Sequence, residues 1–370
     1  MNWPMVKLGD VCQITMGQAP SGSFYNEKGQ GYALIAGAGD FGQINPIPKK
    51  YTTKASKLSK SGDIILCIRA TIGDLNWSDK EYCLGRGVAG LRGKERLDQG
   101  FLWHCLNYNK NTLSSKGTGS TFKQISRNHI EELIIPFPPI EEQKRIAAML
   151  DKADSIRQKR EQAIKLADDF LCATFLEMFG DPVENPKGWQ RMKFSEVGTL
   201  DRGKSKHRPR NAPELLGGIH PLIQTGDVAN SGGYITDYFS TYSDIGLAQS
   251  KMWKKGTLCI TIAANIAKTG ILTFDACFPD SVVGFQPNQH VEIEFIQHWL
   301  GFLQKQLEET APEVAQKNIN LAILRDLDVI VPDKALQMKF KGVVKKVREL
   351  KEKYHNFPDI QPVLSSFHLS

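Results

Sequence analysis

The 370-residue sequence has no apolar segment long enough to cross a membrane, and its first residues lack the apolar region of a signal peptide. It contains no Cys-x-x-Cys pair, and its seven cysteines are an odd number, so neither a zinc framework nor a set of disulfides is expected. The formal net charge of +7 gives only a weak indication of a polyanionic partner. These features predict a cytoplasmic protein with reduced thiols and no membrane association.

Motifs for metal binding and catalysis are also missing. His104 and His298 hold equivalent positions in two similar segments, as do Cys83 and Cys277. Neither segment supplies three or four ligands at a spacing that suits a metal ion, so we expect structural roles for these side chains. No catalytic residue and no metal site are predicted in this chain.

Residues 198–205 match the phosphate-loop pattern GxxxxGK[ST]. A phosphate loop needs an apolar strand before it and a helix that begins at the Lys-Ser pair. The preceding residues are polar, and Pro209 and Pro213 oppose a helix after Ser205. A nucleotide-binding enzyme is therefore kept only as an alternative, which predicts loss of ATP binding on Lys204→Ala.

The chain contains an internal tandem repeat. Residues near the start recur 186 positions later, and the interval is 194 positions from Gly62 to Gln143. Matched pairs include Trp3 with Trp189, Gly17 with Gly203, Val88 with Val282, Phe101 with Phe295, and Gln143 with Gln337. Because one interval holds over so long a stretch, the sequence predicts two similar units. The second unit has eight extra residues, which we assign to a surface loop within residues 230–242.

Each unit combines strand patterns with helix patterns. Residues 63–69 and 257–263 are short apolar runs that predict strands, and residues 101–108 and 295–307 have helical spacing. An α+β unit fits this mixture.

Two amphipathic helices follow the units. Residues 138–180 contain no helix breaker between a Pro-Pro start and a Gly-Asp-Pro stop, and residues 333–357 carry a heptad pattern. We predict that the two helices pack together as an antiparallel coiled coil that separates the units with pseudo-two-fold symmetry. The residues predicted to pack are Ile146, Met149, Ala153, Ile156, Ala163, Ala167, Phe170, Leu336, Phe340, Val343, Val347, Leu350 and Tyr354.

Several runs carry a family resemblance. They are Lys-Leu-Gly-Asp-Val at 7–11, Pro-Pro-Ile-Glu-Glu-Gln-Lys-Arg-Ile at 138–146, Ile-Arg-Gln-Lys-Arg at 156–160, Met-Phe-Gly-Asp-Pro at 178–182 and Asn-Pro-Lys-Gly-Trp at 185–189. In this order the chain resembles the specificity subunit of type I restriction–modification systems over nearly its whole length. The resemblance implies two target recognition domains (1–138 and 186–332), a central spacer helix (139–181), a C-terminal spacer helix (333–357) and a tail (358–370).

The resemblance also implies a function. The chain would be a non-catalytic subunit that binds a bipartite, gapped sequence in double-stranded DNA and docks two adenine-methyltransferase subunits and the restriction subunits. S-adenosylmethionine and ATP would bind those partners, and this chain would hold no cofactor. A two-headed protein–protein scaffold without DNA specificity is the alternative, and it predicts no salt-dependent DNA binding.

Basic residues in or beside predicted loops are the candidates for DNA contacts, since lysines and arginines grip phosphates and donate to base edges. They are Arg69, Arg86, Lys116 and Lys123 in the first unit, and Lys204, Lys206, Arg208, Arg210 and Lys268 in the second.

Overall fold

A computed structural model describes residues 3–119, 123–207, 209–263, 267–310 and 320–355. The chain divides into two compact units, and the boundary lies between Arg160 and Glu161. The predicted tail (358–370) and Arg208 lie outside the described residues.

The first unit holds strands β1–β10 and helices α1–α4, and the second begins within helix α5. The strands of the first unit are β1 (Met5–Lys7), β2 (Cys12–Met16), β3 (Tyr25–Asn26), β4 (Tyr32–Ile35), β5 (Lys50–Thr52), β6 (Ile64–Cys67), β7 (Leu75–Trp77), β8 (Cys83–Leu84), β9 (Val88–Gly93) and β10 (Ile134–Pro136). Its helices are α1 (Leu8–Val11), α2 (Gln99–Tyr108), α3 (Lys110–Ser115) and α4 (Arg127–Glu131), and α5 (Ile140–Phe179) is shared with the second unit.

The remaining elements belong to the second unit. Its strands are β11 (Gln190–Lys193), β12 (Gly198–Arg202), β13 (Leu216–Leu222), β14 (Tyr234–Ile235), β15 (Ser240–Tyr242), β16 (Met252–Trp253), β17 (Leu258–Thr261), β18 (Thr269–Leu272), β19 (Ala276–Cys277), β20 (Val282–Pro287) and β21 (Asp328–Val331). Its helices are α6 (Thr225–Ala229), α7 (Asp244–Ala248), α8 (Ile293–Thr310), α9 (Leu321–Asp326) and α10 (Lys334–His355).

The two units share one sheet topology. The order β2-β9-β6-β7 in the first unit corresponds to β12-β20-β17-β18 in the second, and β5-β4-β8 corresponds to β15-β13-β19. The pairing register is the same: Ile14 pairs with Leu91, and Leu200 pairs with Phe285 at the repeat intervals. The predicted tandem repeat of α+β units is confirmed.

The extra residues of the second unit do not form only a surface loop, so that prediction is wrong in part. They include β14, which pairs in parallel with β18 at the edge of the sheet and buries Ile235. Gln297 holds this strand through a hydrogen bond from Nε2 to the carbonyl oxygen of Gly233 (2.6 Å). The apolar Tyr-Ile pair explains the difference, because it covers a sheet edge that would otherwise be open.

Helix α5 contributes to both cores. Ile146, Ala147 and Leu150 are buried in the core of the first unit. Near the other end, Leu171, Phe175 and Phe179 are buried in the core of the second unit. No residue between 151 and 166 is buried. The long uninterrupted helix is confirmed, and its middle is exposed.

Within the second unit, the end of α5 packs antiparallel against α10. Phe340 lies 5.5 Å from Phe175 and 5.4 Å from Phe179, measured between ring centroids. Further along α10, Lys351 donates to Asp168 (2.7 Å), nearly three turns earlier on α5. Ala167, Leu336 and Val343 pack at the margin of the same core, which also buries Val344 and Val347.

Several residues predicted to pack between the two helices do not do so. Met149, Ile156, Phe170 and Leu350 are exposed, Ile146 belongs to the core of the first unit, and Ala153, Ala163 and Tyr354 are only partly buried. At about 100° per residue, Met149 and Ile156 fall on one flank of the stripe that Ile146, Ala147 and Leu150 bury in the first unit. The apolar face read from the sequence is therefore wider than the face that is buried.

A buried glutamine fixes the start of each long helix. Gln143 donates from Nε2 to the carbonyl oxygens of Pro138 (2.8 Å) and Arg96 (3.0 Å), and accepts from the amide of Asp98 (2.8 Å). Gln337 makes the same three bonds, to Pro332 (2.8 Å), His290 (3.0 Å) and Glu292 (2.8 Å). Each long helix is thus tied to the unit that precedes it.

Candidate nucleic-acid interface

In the first unit, one end of the sheet β2-β9-β6-β7 gathers three loops. The amide of Gly17, after β2, donates to the carbonyl oxygen of Val88 (2.9 Å), and the amide of Ile68, after β6, donates to that of Gly87 (2.9 Å). A Cβ on Gly17 would lie 2.1 Å from the carbonyl oxygen of Gly85, so only glycine allows this close approach. The loops after β2 and β6 and the turn before β9 therefore meet at one edge.

Two further loop segments that carry predicted cations join this edge. The amide of Ala70 donates to the carbonyl oxygen of Lys123 (3.0 Å), and the amide of Ile125 donates to that of Ile68 (3.0 Å). Ala70 has a backbone φ of 64°, which is unusual for a residue other than glycine. Arg69 forms a bridge with Gln124, which also pairs with Thr118 in the loop after Lys116. The structure thus brings Arg69, Lys116 and Lys123 to one loop junction.

Arg86 belongs to the same edge. It occupies the turn between β8 and β9, next to Gly87, and its side chain is exposed. All four cations predicted for the first unit are therefore carried by neighbouring loops at one end of one sheet.

The second unit has the corresponding edge. The amide of Gly203 donates to the carbonyl oxygen of Val282 (2.9 Å), and the amide of Ile262 donates to that of Ser281 (3.0 Å). Lys268 lies beside the end of β17, since its amide donates to the hydroxyl of Thr261 (3.1 Å). Lys204, Lys206 and Lys268 are exposed there.

Residues 204–207 are held in an irregular conformation by the end of α7. The Oε1 atom of Gln249 accepts the amides of Lys206 (2.6 Å) and His207 (3.0 Å). The Ser250 hydroxyl donates to the carbonyl oxygen of Lys204 (2.9 Å). These bonds fix the backbone while the two lysine side chains point outward as exposed groups.

The same bonds contradict a phosphate loop at residues 198–205. Gly198–Arg202 is strand β12, and residues 203–207 are irregular instead of opening a helix. The helix N-terminus that would bind phosphate is absent from this described segment. The nucleotide-binding alternative therefore has no structural support.

Arg210 has an internal partner, which the sequence prediction did not include. Its guanidinium forms an ion pair with the carboxylate of Asp280, in the turn before β20. The carbonyl oxygen of Asp280 also accepts from Nε of Arg202 (3.0 Å). Arg210 therefore lies at the same edge as Lys204 and Lys206, but as one member of a pair rather than as an isolated cation.

The repeated histidines and cysteines have structural surroundings. His104 pairs through Nε2 with Asp151 (2.8 Å), and His298 hydrogen-bonds the carbonyl oxygen of Glu294 through Nδ1 (2.8 Å). Burial raises the pKa of the Cys83 and Cys277 thiols. Among the described residues, no group of three or more His, Cys, Asp or Glu side chains is arranged to hold a metal ion.

Sequence reasoning missed Gln249 and Asp280. Asp280 could have been found, because it lies 194 positions after Arg86 and so occupies the same place in the repeat. Gln249 carries no comparable signal, since it acts through backbone bonds to a segment more than forty residues away.

Two similar α+β units, each presenting loops from one sheet edge and joined by a long helix, are the plan of one known class of protein. The chain belongs to the family of the type I restriction modification DNA specificity domain, which it matches over residues 1–166 and 186–349. None of the helices in the described ranges has the length and apolar character needed to span a membrane.

The chain is also similar in sequence to proteins that are named as specificity subunits of type I restriction enzymes. The chain is 39% identical, over 44% of its length, to the putative type I restriction enzyme MjaX specificity subunit of Methanocaldococcus jannaschii, and the match spans 40% of that protein. It is 23% identical to the EcoBI specificity subunit of Escherichia coli, over 90% of this chain and 76% of that protein.

Solved structures show the same fold. The S subunit of a type I restriction–modification system from M. genitalium superposes with a TM-score of 0.64 at 17% identity, covering 96% of this chain and 91% of that chain. A chain from a structural study of type I R-M complex assembly and conformational transition gives a TM-score of 0.54 at 20% identity, covering 95% and 93%.

Proposed function

We propose that the chain binds a bipartite, gapped DNA sequence and directs adenine-methyltransferase and restriction subunits to it. The observation that carries this proposal is the equivalence of the two sheet edges. Predicted cations lie at this edge in both units, on the matching loops that carry Arg69 and Lys268 and on other loops that differ between the units, and the backbone hydrogen bonds of Gly17 and Gly203 are equivalent. Two similar but non-identical edges suit two different half-sites on one duplex.

The loops supply both kinds of contact that sequence-specific binding needs. Exposed lysines such as Lys204, Lys206 and Lys268 displace counterions from phosphates. Arginine and amide side chains on fixed loops hydrogen-bond base edges in the major groove. The chain itself performs no chemistry in this proposal, and S-adenosylmethionine and ATP bind the partner subunits.

The partner subunits have a candidate surface on the long helix. Met149 and Ile156 expose apolar side chains on the part of α5 that belongs to the first unit. These exposed apolar side chains are candidates for contact with a methyltransferase subunit. Cytoplasmic location is part of this proposal, because the DNA and the partner subunits are there.

The first test is to co-purify the full chain with the methyltransferase subunit of its own system and to map the methylated adenines. The expected result is a gapped motif with one methylated adenine in each half-site. A complex that methylates without a bipartite motif contradicts the proposal. The absence of any DNA affinity at low salt would favour the scaffold alternative.

Salt dependence tests the basic edge directly. For Lys206→Ala we expect weaker binding to every sequence and a reduction of about 1 in the slope of log affinity against log salt concentration. Lys339→Ala is the matched control, because Lys339 is an exposed lysine on α10 of the same unit. An unchanged slope in Lys206→Ala would exclude this loop from the interface.

A further inference from the structure

One β-turn is built in the same way in both units. In the first unit the amide of Val88 donates to the carbonyl oxygen of Gly85 (3.2 Å), and in the second the amide of Val282 donates to that of Pro279 (3.0 Å). The carbonyl oxygen of the last residue of each turn, Val88 or Val282, also accepts the amide of Gly17 or of Gly203 at 2.9 Å. The turn therefore has the same position and the same backbone hydrogen bonds in both sheets.

The second residue of this turn carries opposite charges in the two units. It is Arg86 in the first unit and Asp280 in the second, separated by the repeat interval of 194 positions. A carboxylate is unfavourable on a surface that meets DNA phosphates, because like charges repel. The acid at this place in the basic edge of the second unit therefore needs a specific role.

The ion pair of Asp280 supplies that role. The carboxylate holds the guanidinium of Arg210, so the second unit also presents a guanidinium at the turn, although from a different segment. Both side chains remain well exposed, with 46% of Arg210 and 36% of Asp280 accessible. The segment that carries Arg210 is anchored further upstream by Gln249 and Ser250.

We propose that this turn is a specificity-determining element of the proposed DNA-binding function. Each unit places a guanidinium there to read a guanine in its own half-site: Arg86 directly from the turn, and Arg210 positioned by Asp280. The inference deepens the proposed function and rests on it.

The pairing with a carboxylate indicates base reading rather than phosphate binding. An arginine whose charge is balanced by Asp280 attracts phosphate weakly, but it keeps N–H donors that the ion pair does not use. A guanidinium that a carboxylate contacts through one terminal nitrogen can still donate to the two acceptors O6 and N7 of guanine, which is the commonest specific arginine contact. Asp280 acts here as a positioning residue.

The test is selection from a random-sequence duplex library by the full chain in complex with its methyltransferase subunits. The wild-type complex should prefer guanine by roughly tenfold or more at one position of each half-site. Asp280→Ala and Arg210→Lys should each remove most of that preference at a single position of the second half-site. Arg86→Lys should do so only in the first half-site, because lysine lacks the planar fork.

Asp275→Ala is the matched control. Asp275 is an acid of the same unit that pairs with Lys254 (2.8 Å), and it lies beside the start of β17, at the opposite end from Thr261. This variant should leave both half-sites unchanged. Arg210→Lys replaces an exposed side chain, so it decides the question if Asp280→Ala folds poorly.

Two results would overturn the inference. One is an unchanged guanine preference in Arg210→Lys, and the other is an equal loss of affinity for all sequences, which would indicate a phosphate contact. A wild-type complex that selects no bipartite sequence would instead refute the proposed function itself.

Discussion

Gln143 and Gln337 are the clearest case of single residues that define this fold. Both side chains are fully buried, and both satisfy two carbonyl oxygens and one amide that would otherwise be unpaired. Buried polar groups without partners are costly. The same residue at the same helical position in both units therefore has a direct physical cause.

Gln337→Leu should destabilise the second unit. The substitution conserves size but leaves the amide of Glu292 and the carbonyl oxygens of Pro332 and His290 without this partner, so we expect a loss of about 3 kcal/mol. Urea unfolding followed by tryptophan fluorescence measures the change. Gln158→Leu, on the exposed middle of α5, should change stability by no more than about 0.5 kcal/mol. Equal effects of the two variants would contradict the role of Gln337.

His298 should make stability depend on pH. Burial is the main reason that its pKa lies below the ordinary value of 6.5, so the folded chain binds this proton less readily than the unfolded chain. Its contribution is complete above about pH 6.5 and is lost progressively as the pH falls below that value. The nearby Asp168 and Lys351 pair with each other (2.7 Å), and their charges shift the pKa of His298 in opposite directions.

Unfolding free energies at pH 8 and pH 5.5 test this expectation. The wild type should lose more stability between the two values than His298→Gln does. Identical pH profiles would show that His298 does not carry the effect.

From the sequence, structurally important single residues can be recognised only where the same residue recurs at matching positions in both units. Gln143, Gln337, His104 and His298 were matched across the two units; the first three are buried and His298 is partly buried. Gln249 was not found, because its role depends on which loop the fold brings to the end of α7. Long-range backbone contacts of this kind leave no local pattern.

At the scale of secondary-structure elements, the heptad pattern of the last helix predicted the helix but only part of its contacts. Phe340 and Val347 are buried as expected, whereas Leu350 is exposed and Val344, which the pattern omitted, is buried. A heptad assumes a single partner helix. Here the face is set by α5 together with α8, so the buried stripe follows the core of the unit.

Phe340→Ala should therefore disrupt the packing of α10 far more than Leu350→Ala does. Phe340 is fully buried and contacts Phe175, Phe179 and the edge of His298. We expect a loss of about 3 to 5 kcal/mol for Phe340→Ala and less than about 1 kcal/mol for Leu350→Ala. Thermal unfolding of both variants measures the difference. Comparable losses for the two variants would support the heptad packing predicted from the sequence, in which Leu350 lies at the helix interface.

For the whole molecule, the repeat was the most informative feature of the sequence. It predicted two α+β units and their order, because a constant interval requires homologous elements with the same pairing register. It could not predict β14, since the extra residues have no counterpart in the first unit. It also could not show that α5 belongs to two cores, because that depends on which of its turns each unit buries.

The exposed middle of α5 leads to a prediction about the DNA target. Residues 151–166 include no buried side chain, so seven residues inserted after Gln158 should leave both cores intact. Seven residues lengthen a helix by about 10 Å and nearly restore the direction of its faces. If the helix sets the separation of the half-sites, the gap should grow by about three base pairs, at 3.4 Å per base pair. Methylation mapping of the variant complex measures the gap. The control is a seven-residue insertion after Lys28, in an exposed turn of the first unit. An unchanged gap in an active α5 variant would mean that contacts other than this helix fix the spacing.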